Sequence, residues 1–134
     1  TDALLGMLPE CDFVVLTAPL TEKTRNMFST EAFAAMKPSA YFINVSRGAL
    51  VDESALVVAL RNKTIAGAML DVFNEEPLPP NSPLWKQPNL IITPHVSGVS
   101  PKILDNVLRF FNTNLKRYRD DLPLYNVIDP KRGY

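Results

Sequence analysis

Four short apolar runs constrain this chain more than any other feature: Phe13–Leu16, Tyr41–Val45, Ile65–Leu70 and Leu90–Ile92. Each run is continuous instead of alternating, the pattern of strands covered on both faces in a parallel sheet. Their starts are 28, 24 and 25 residues apart, which leaves room for a crossover segment in every gap. Ser29 is placed to cap a helix running through Met36, where Pro38 blocks continuation. Asp52 is placed to cap a second helix, with Leu56, Ala59, Leu60 and Lys63 at helical spacing. Ser100 followed by Pro101 reads as a cap and a favoured first helical residue. From there Leu104, Val107, Leu108, Phe111 and Leu115 form an apolar stripe on a helix of about twenty residues, ending near Tyr118. Asp2–Leu8 reads as the end of another crossover helix. The third gap, Asn74–Gln87, holds four of the 12 prolines and predicts a rigid crossover loop with Trp85 as its packing anchor.

The order strand, helix, strand, helix, strand, loop, strand, helix implies an α/β fold with a parallel sheet. With four strands and a long final helix, the chain reads as the second half of a larger doubly wound sheet. Composition removes other classes. Fourteen basic and 14 acidic residues give zero net charge, so little is gained from releasing counterions around nucleic acid, and no nucleic-acid partner is expected. One Cys and one His permit neither an internal disulfide nor a Cys/His zinc site, and too few good ligands remain for a metal enzyme. No apolar run approaches the roughly 18 residues of a membrane span, and no signal-peptide pattern opens the chain. No membrane partner is expected, and the expected compartment is the cytoplasm. Among Gly6, Gly48, Gly67, Gly98 and Gly133 no two are separated by one residue, so neither G-x-G-x-x-G nor a phosphate loop ending in Gly-Lys is present.

Ligands of open parallel sheets bind beyond the carboxyl ends of the strands. Thr17-Ala18-Pro19 follows the first run, Ser46-Arg47-Gly48 the second, Asp71 and then Glu75-Glu76-Pro77 the third, and Thr93-Pro94-His95 the fourth. Arg47 to Glu76 spans 29 residues and Glu76 to His95 spans 19, so only parallel topology can gather them. A histidine beside a carboxylate keeps its proton to higher pH and can act as a general acid. An arginine fork suits a carboxylate or a carbonyl oxygen gaining charge. An acidic residue beside a nicotinamide favours its cationic, oxidised form. Gly48 is read as a place where a ligand can come close to the backbone. Each residue alone has a plainer reading: a surface salt bridge for Arg47, a loop cap for Asp71, a solvated turn for Glu75-Glu76, a small core residue for Cys11, and the wet end of a helix for Lys116–Asp121.

The ordered strings Leu8-Pro9-Glu10-Cys11-Asp12, Pro19-Leu20-Thr21-Glu22-Lys23-Thr24, Asn44-Val45-Ser46-Arg47-Gly48, Gly67-Ala68-Met69-Leu70-Asp71-Val72-Phe73, Glu76-Pro77-Leu78 and Thr93-Pro94-His95 closely resemble the D-isomer-specific 2-hydroxyacid dehydrogenase family over nearly the whole chain. Asn126-Val127-Ile128-Asp129 with Arg132-Gly133-Tyr134 resembles its glyoxylate/hydroxypyruvate reductase-like branch. The resemblance implies the C-terminal half of a Rossmann-type doubly wound parallel sheet in residues 1–100. Residues 101–134 would be a long C-terminal helix and an arm belonging to the substrate domain. It implies a catalytic Arg47, Glu76 and His95. His95 would protonate the keto oxygen as hydride arrives, Glu76 would hold His95 and favour its protonated form, and Arg47 would bind the substrate carboxylate. Asp71 matches the residue that contacts the nicotinamide carboxamide. Thr17, Ala18 and Pro19 match the wall beside the adenosine half of the cofactor, with Thr24 counted among the cofactor-binding positions. Ser46 and Gly98 match the strip near the nicotinamide. NAD or NADP is the implied cofactor, a small 2-keto or 2-hydroxy acid the implied substrate, and a homodimer the implied assembly. A Glu-His pair disfavours the formate dehydrogenase branch, and the chain shows none of the regulatory extension of many phosphoglycerate dehydrogenases. The family's glycine loop would lie upstream of Thr1, so the chain is expected to be a C-terminal fragment without turnover of its own. Two rival readings are a non-catalytic NAD(H)-sensing module of the same family and a structural fragment ordered by swapping with a second copy.

Overall fold

A computed structural model describes residues 2–131. The motif Arg132-Gly133-Tyr134 lies outside the described residues. Helix α1 (Asp2–Met7) leads through a 3-10 turn at Leu8–Glu10 into β1 (Phe13–Leu16); then come α2 (Thr30–Ala35), β2 (Tyr41–Asn44), α3 (Glu53–Arg61), β3 (Gly67–Leu70), β4 (Leu90–Ile92) and α4 (Ile103–Arg119). The four strands form one parallel sheet in the order β1-β2-β3-β4. The α/β reading is therefore borne out. The pairing register aligns Leu16 with Asn44, Asn44 with Leu70, and Leu70 with Ile92. The carboxyl ends of all four strands thus finish in one row, and the segments that follow them share one edge of the sheet.

Capping differs from helix to helix. Asp52 caps α3 as the sequence predicts, its Oδ1 accepting from the backbone nitrogens of Ser54 at 2.9 Å and Ala55 at 3.1 Å. Ser29 stands at the N-cap of α2 without a side-chain bond. The last helix begins at Ile103, later than the Ser100-Pro101 pair suggests: Pro101 and Lys102 form a turn whose Lys102 nitrogen is bonded by the Ser100 hydroxyl. It runs 17 residues. The proline loop contains only a 3-10 turn, Pro83–Lys86, capped by the Ser82 hydroxyl.

The core lies on one face of the sheet, where α2 and α3 pack together and against it. Phe28, Phe33 and Phe42 form its aromatic centre, with the Phe28 and Phe42 rings 4.6 Å apart. Each such buried ring contributes on the order of 2–3 kcal/mol of transfer free energy. The opposite face corrects the expectation of strands buried on both sides. Burial alternates along β1, leaving Phe13 at 67% and Val15 at 56% exposure, and Tyr41 and Ile91 are exposed too. The physical reason is topological. Strands added in sequential order by right-handed crossovers place their crossover segments on the same side. Cys11 is half-buried against the core. The Trp85 indole donates to the Pro79 carbonyl at 2.9 Å, tying the proline loop to itself while the ring remains half exposed.

The chain divides into two compact units after Ser97. In the second, α4 carries an apolar side of Leu104, Val107, Leu108, Phe111 and Leu115, all exposed. Asn114 and Arg117 of α4 hold the following arm by bonds to Tyr125 and Pro123, and the Arg117 guanidinium lies 4.0 Å over the Tyr125 ring. Among the described residues no helix is long and apolar enough to cross a membrane.

Candidate active site

The row of strand ends places the polar residues. After β2, Asn44 is fully buried and organises the loop that follows. Its Oδ1 accepts from the nitrogen and hydroxyl of Ser46, and its Nδ2 donates to the Arg47 carbonyl at 3.0 Å. Arg47 is thereby presented at the edge with its side chain exposed, its Nη1 donating to the Ser46 carbonyl at 2.7 Å.

Gly48 corrects an expectation. It is buried, and a Cβ there would stand 1.9 Å from the carbonyl carbon of Phe73. What approaches this glycine is the chain's own backbone after β3, not a ligand. The contact docks the Arg47 loop on the Phe73–Glu76 loop. Glu53 strengthens it by accepting from the Asn74 nitrogen at 2.7 Å.

Glu76 then uses both carboxylate oxygens. Oε1 accepts from the Phe73 nitrogen at 2.9 Å, and Oε2 meets His95 Nδ1 at 2.7 Å. The side chains of His95 and Glu76 are 47% and 34% exposed, so the pair opens to solvent. The His95 bond, then the Phe73 bond, holds the Glu76 carboxyl below its ordinary value against the opposing effect of burial; the charges of His95 and Arg47 add to this. Glu76 is therefore a carboxylate near neutrality, and Arg47 lies within electrostatic reach of it. With Nδ1 engaged, Nε2 is the nitrogen of His95 left to face a ligand.

Asp71 shows what fixes His95. Its side chain, 1% exposed, accepts from the Thr93 hydroxyl, from the Val96 nitrogen at 3.0 Å and from the Ser97 nitrogen at 2.8 Å. Burial pushes its pKa up, but hydrogen bonds from Ser97, Thr93 and Val96 outweigh burial and hold it below the usual carboxylate range. These bonds clamp the loop on both sides of His95, whose backbone is left-handed at φ 54°. Thr93, Ser97 and the backbone nitrogens of Phe73 and Val96 were not singled out by sequence reasoning. The position of Thr93 immediately after a strand was the available signal, whereas backbone donors leave none.

The remaining expected positions are more scattered. Thr17 and Pro19 are exposed beyond β1 and Ala18 is half-buried against the core. The Thr24 hydroxyl donates to the Pro19 carbonyl at 2.7 Å and bonds Thr21, which closes that loop. Gly98 opens the second unit, with nothing within 4 Å of where its Cβ would be. As a set, the paired His95 and Glu76, the exposed Arg47 side chain and the Asp71 anion suit the redox end of a nicotinamide cofactor.

Residues 1–97 match the family model described as D-isomer specific 2-hydroxyacid dehydrogenase, NAD binding domain. A glyoxylate/hydroxypyruvate reductase B of Escherichia fergusonii is 51% identical over 94 residues, covering 70% of this chain and 29% of the relative. The Yersinia enterocolitica reductase of the same name is 41% identical over 125 residues, covering 93% of this chain and 38% of the relative. The chain thus spans about a third of the length of these curated relatives. Among solved structures, a D-isomer specific 2-hydroxyacid dehydrogenase from Xanthobacter autotrophicus in complex with NADPH and MES superposes with a TM-score of 0.91 at 42% identity, over 99% of this chain and 54% of that one. An NADPH-dependent glyoxylate/hydroxypyruvate reductase from Sinorhizobium meliloti, in complex with NADP and sulfate, also gives a TM-score of 0.91, at 34% identity over 100% of this chain and 43% of that one.

Proposed function

Because the chain belongs to the D-isomer-specific 2-hydroxyacid dehydrogenase family, through its NAD-binding domain, we propose that it carries the catalytic edge of an NAD(P)-dependent oxidoreductase acting on a small 2-keto or 2-hydroxy acid of the glyoxylate or hydroxypyruvate type. The observation that carries the proposal is the 2.7 Å pairing of His95 Nδ1 with Glu76, beside Arg47, at the carboxyl edge of the sheet.

The nicotinamide, when bound, supplies the hydride in reduction and accepts it in oxidation. His95 gives a proton from Nε2 to the keto oxygen in reduction and takes it back in oxidation. Glu76 fixes the ring through Nδ1 and compensates its positive charge. Arg47 binds the substrate carboxylate and polarises the carbonyl. Ser46 and Gly98 flank the nicotinamide, and Thr17, Ala18, Pro19 and Thr24 line the path of the adenosine half. Asp71, whose hydrogen bonds are given to the His95 loop, acts on the nicotinamide chiefly as a fixed negative charge. The unit after Ser97 works with a substrate-binding domain, the assembly is a homodimer, and the compartment is the cytoplasm.

The test is a panel of 2-keto acids offered with NADH or NADPH to the full-length enzyme. Reduction of glyoxylate or hydroxypyruvate is expected. Tight NAD(H) binding with no turnover of any acid would overturn the enzymatic reading in favour of a cofactor sensor.

A further inference from the structure

Glu53 opens α3, yet its carboxylate hydrogen-bonds outside that helix. Asp52, the residue before it, already accepts from the Ser54 and Ala55 nitrogens. Glu53 Oε1 instead accepts from the Asn74 nitrogen at 2.7 Å, 21 residues along the chain. Asn74 gives a second, longer bond from Nδ2 to the Val51 carbonyl at 3.4 Å, so the start of α3 holds it by backbone and side chain. Asn74 lies inside the loop that carries Glu76, whose Oε1 accepts from the neighbouring Phe73 nitrogen. Among the described residues, Glu53 and His95 are the only residues outside that loop, Phe73 to Glu76, whose side chains bond to it.

Three bonds thus run in series: Asn74 to Glu53, Phe73 to Glu76, and His95 to Glu76. A general acid works only within hydrogen-bond reach of its target atom, and a small misplacement is costly. His95 takes its orientation from Glu76 Oε2 at 2.7 Å, and Glu76 takes its place from a loop that is exposed from Asn74 onward. The close approach at Gly48 limits how near this loop can come; the Glu53 bond is what draws it in. We propose that Glu53 is a positioning residue of the acid–base pair: by reach, not by charge, it fixes the Asn74 loop and so holds Glu76 against His95. The inference rests on the reading of His95 and Glu76 as the acid–base pair of a 2-keto acid reductase. Arg47 is held separately, through the Asn44 side chain. Loss of Glu53 therefore slows the proton step and leaves binding of the substrate carboxylate intact.

The experiment measures kcat and KM for glyoxylate and hydroxypyruvate, with NADH or NADPH, in the full-length enzyme and in its Glu53→Gln, Glu53→Asp and Glu53→Ala variants, with the thermal midpoint of each. Glutamine keeps the reach and the acceptor without the charge; aspartate keeps the charge but is one methylene short. Glu53→Asp and Glu53→Ala are expected to lower kcat about 10-fold or more, with KM changed less than about 3-fold. Glu53→Gln is expected to keep kcat within about 3-fold of wild type. A residue that served only the α3 dipole would act through its charge, and would move the thermal midpoint instead of kcat. Loss of kcat in Glu53→Gln as large as in Glu53→Ala, an unchanged kcat in Glu53→Asp, or a rise in KM in place of a fall in kcat overturns the positioning role and leaves the functional reading standing. If Glu53→Ala fails to fold, the aspartate and glutamine variants carry the comparison. A wild type that turns over neither acid overturns the functional reading and the positioning role with it.

Discussion

His95 holds a left-handed backbone at φ 54°, a conformation that costs a non-glycine residue on the order of 1–3 kcal/mol. The Asp71 carboxylate balances it by binding the donors on both sides of the histidine. Asp71→Ala leaves the Thr93 hydroxyl and the Val96 and Ser97 nitrogens unpaired and is expected to destabilise the protein by about 3 kcal/mol, read from the urea midpoint. The pH dependence has a definite sign. A carboxyl held below its ordinary value of 3.8 contributes stability that is fully present above that value and is lost as pH falls toward the folded-state value. Unfolding midpoints measured from about pH 5 to about pH 2 should therefore drop in the wild type and flatten in Asp71→Asn. Glu76 is depressed in the same direction and adds to the acid limb. At the catalytic level, His95→Ala or Arg47→Ala in the full-length enzyme is expected to cost at least about 2–4 kcal/mol of transition-state stabilisation, measured as kcat/KM. A variant close to wild type would remove that residue from its role.

Elements matter here through the loops they hold. Asp52 caps α3 with two backbone bonds, and the next residue, Glu53, holds Asn74. The start of α3 therefore fixes both its own first turn and the loop that carries Glu76. Asp52→Ala should lower stability by about 1 kcal/mol in thermal unfolding. Gly48→Ala is a harsher change, because its Cβ would collide with backbone at Phe73. Relieving that overlap has to move the Arg47 loop away from the Glu76 loop. A loss of about 3 kcal/mol is expected, together with a fall in kcat/KM greater than the stability change explains. A Gly48→Ala enzyme of native stability and activity would show that the two loops need not touch.

On the scale of the molecule, apolar surface is left bare on one face of the sheet and along α4 and its arm. The isolated 134-residue chain is expected to reduce no keto acid with NADH or NADPH, since its sequence contains no glycine loop for the pyrophosphate. Turnover by this chain free of any longer enzyme would contradict that. Much was legible beforehand. Continuous apolar runs at crossover spacing dictate a parallel sheet, because only such a sheet accommodates strands that far apart in sequence with helices between them. That topology then brings Arg47, Glu76 and His95 to one edge, since all the strands end on the same side. What the sequence did not contain is the pairing of donors with acceptors across it. The bonds from the Asp71 carboxylate to the Thr93–Ser97 loop span 22 to 26 residues, and the Glu76–His95 bond spans 19. Local preference carries no information over such distances. Strand register decided that Asp71 clamps the histidine loop, that Gly48 makes room for backbone and that Nδ1 is the His95 nitrogen held by Glu76. Composition and spacing specify which groups reach the edge; only the packing of one loop against another decides what each of them holds.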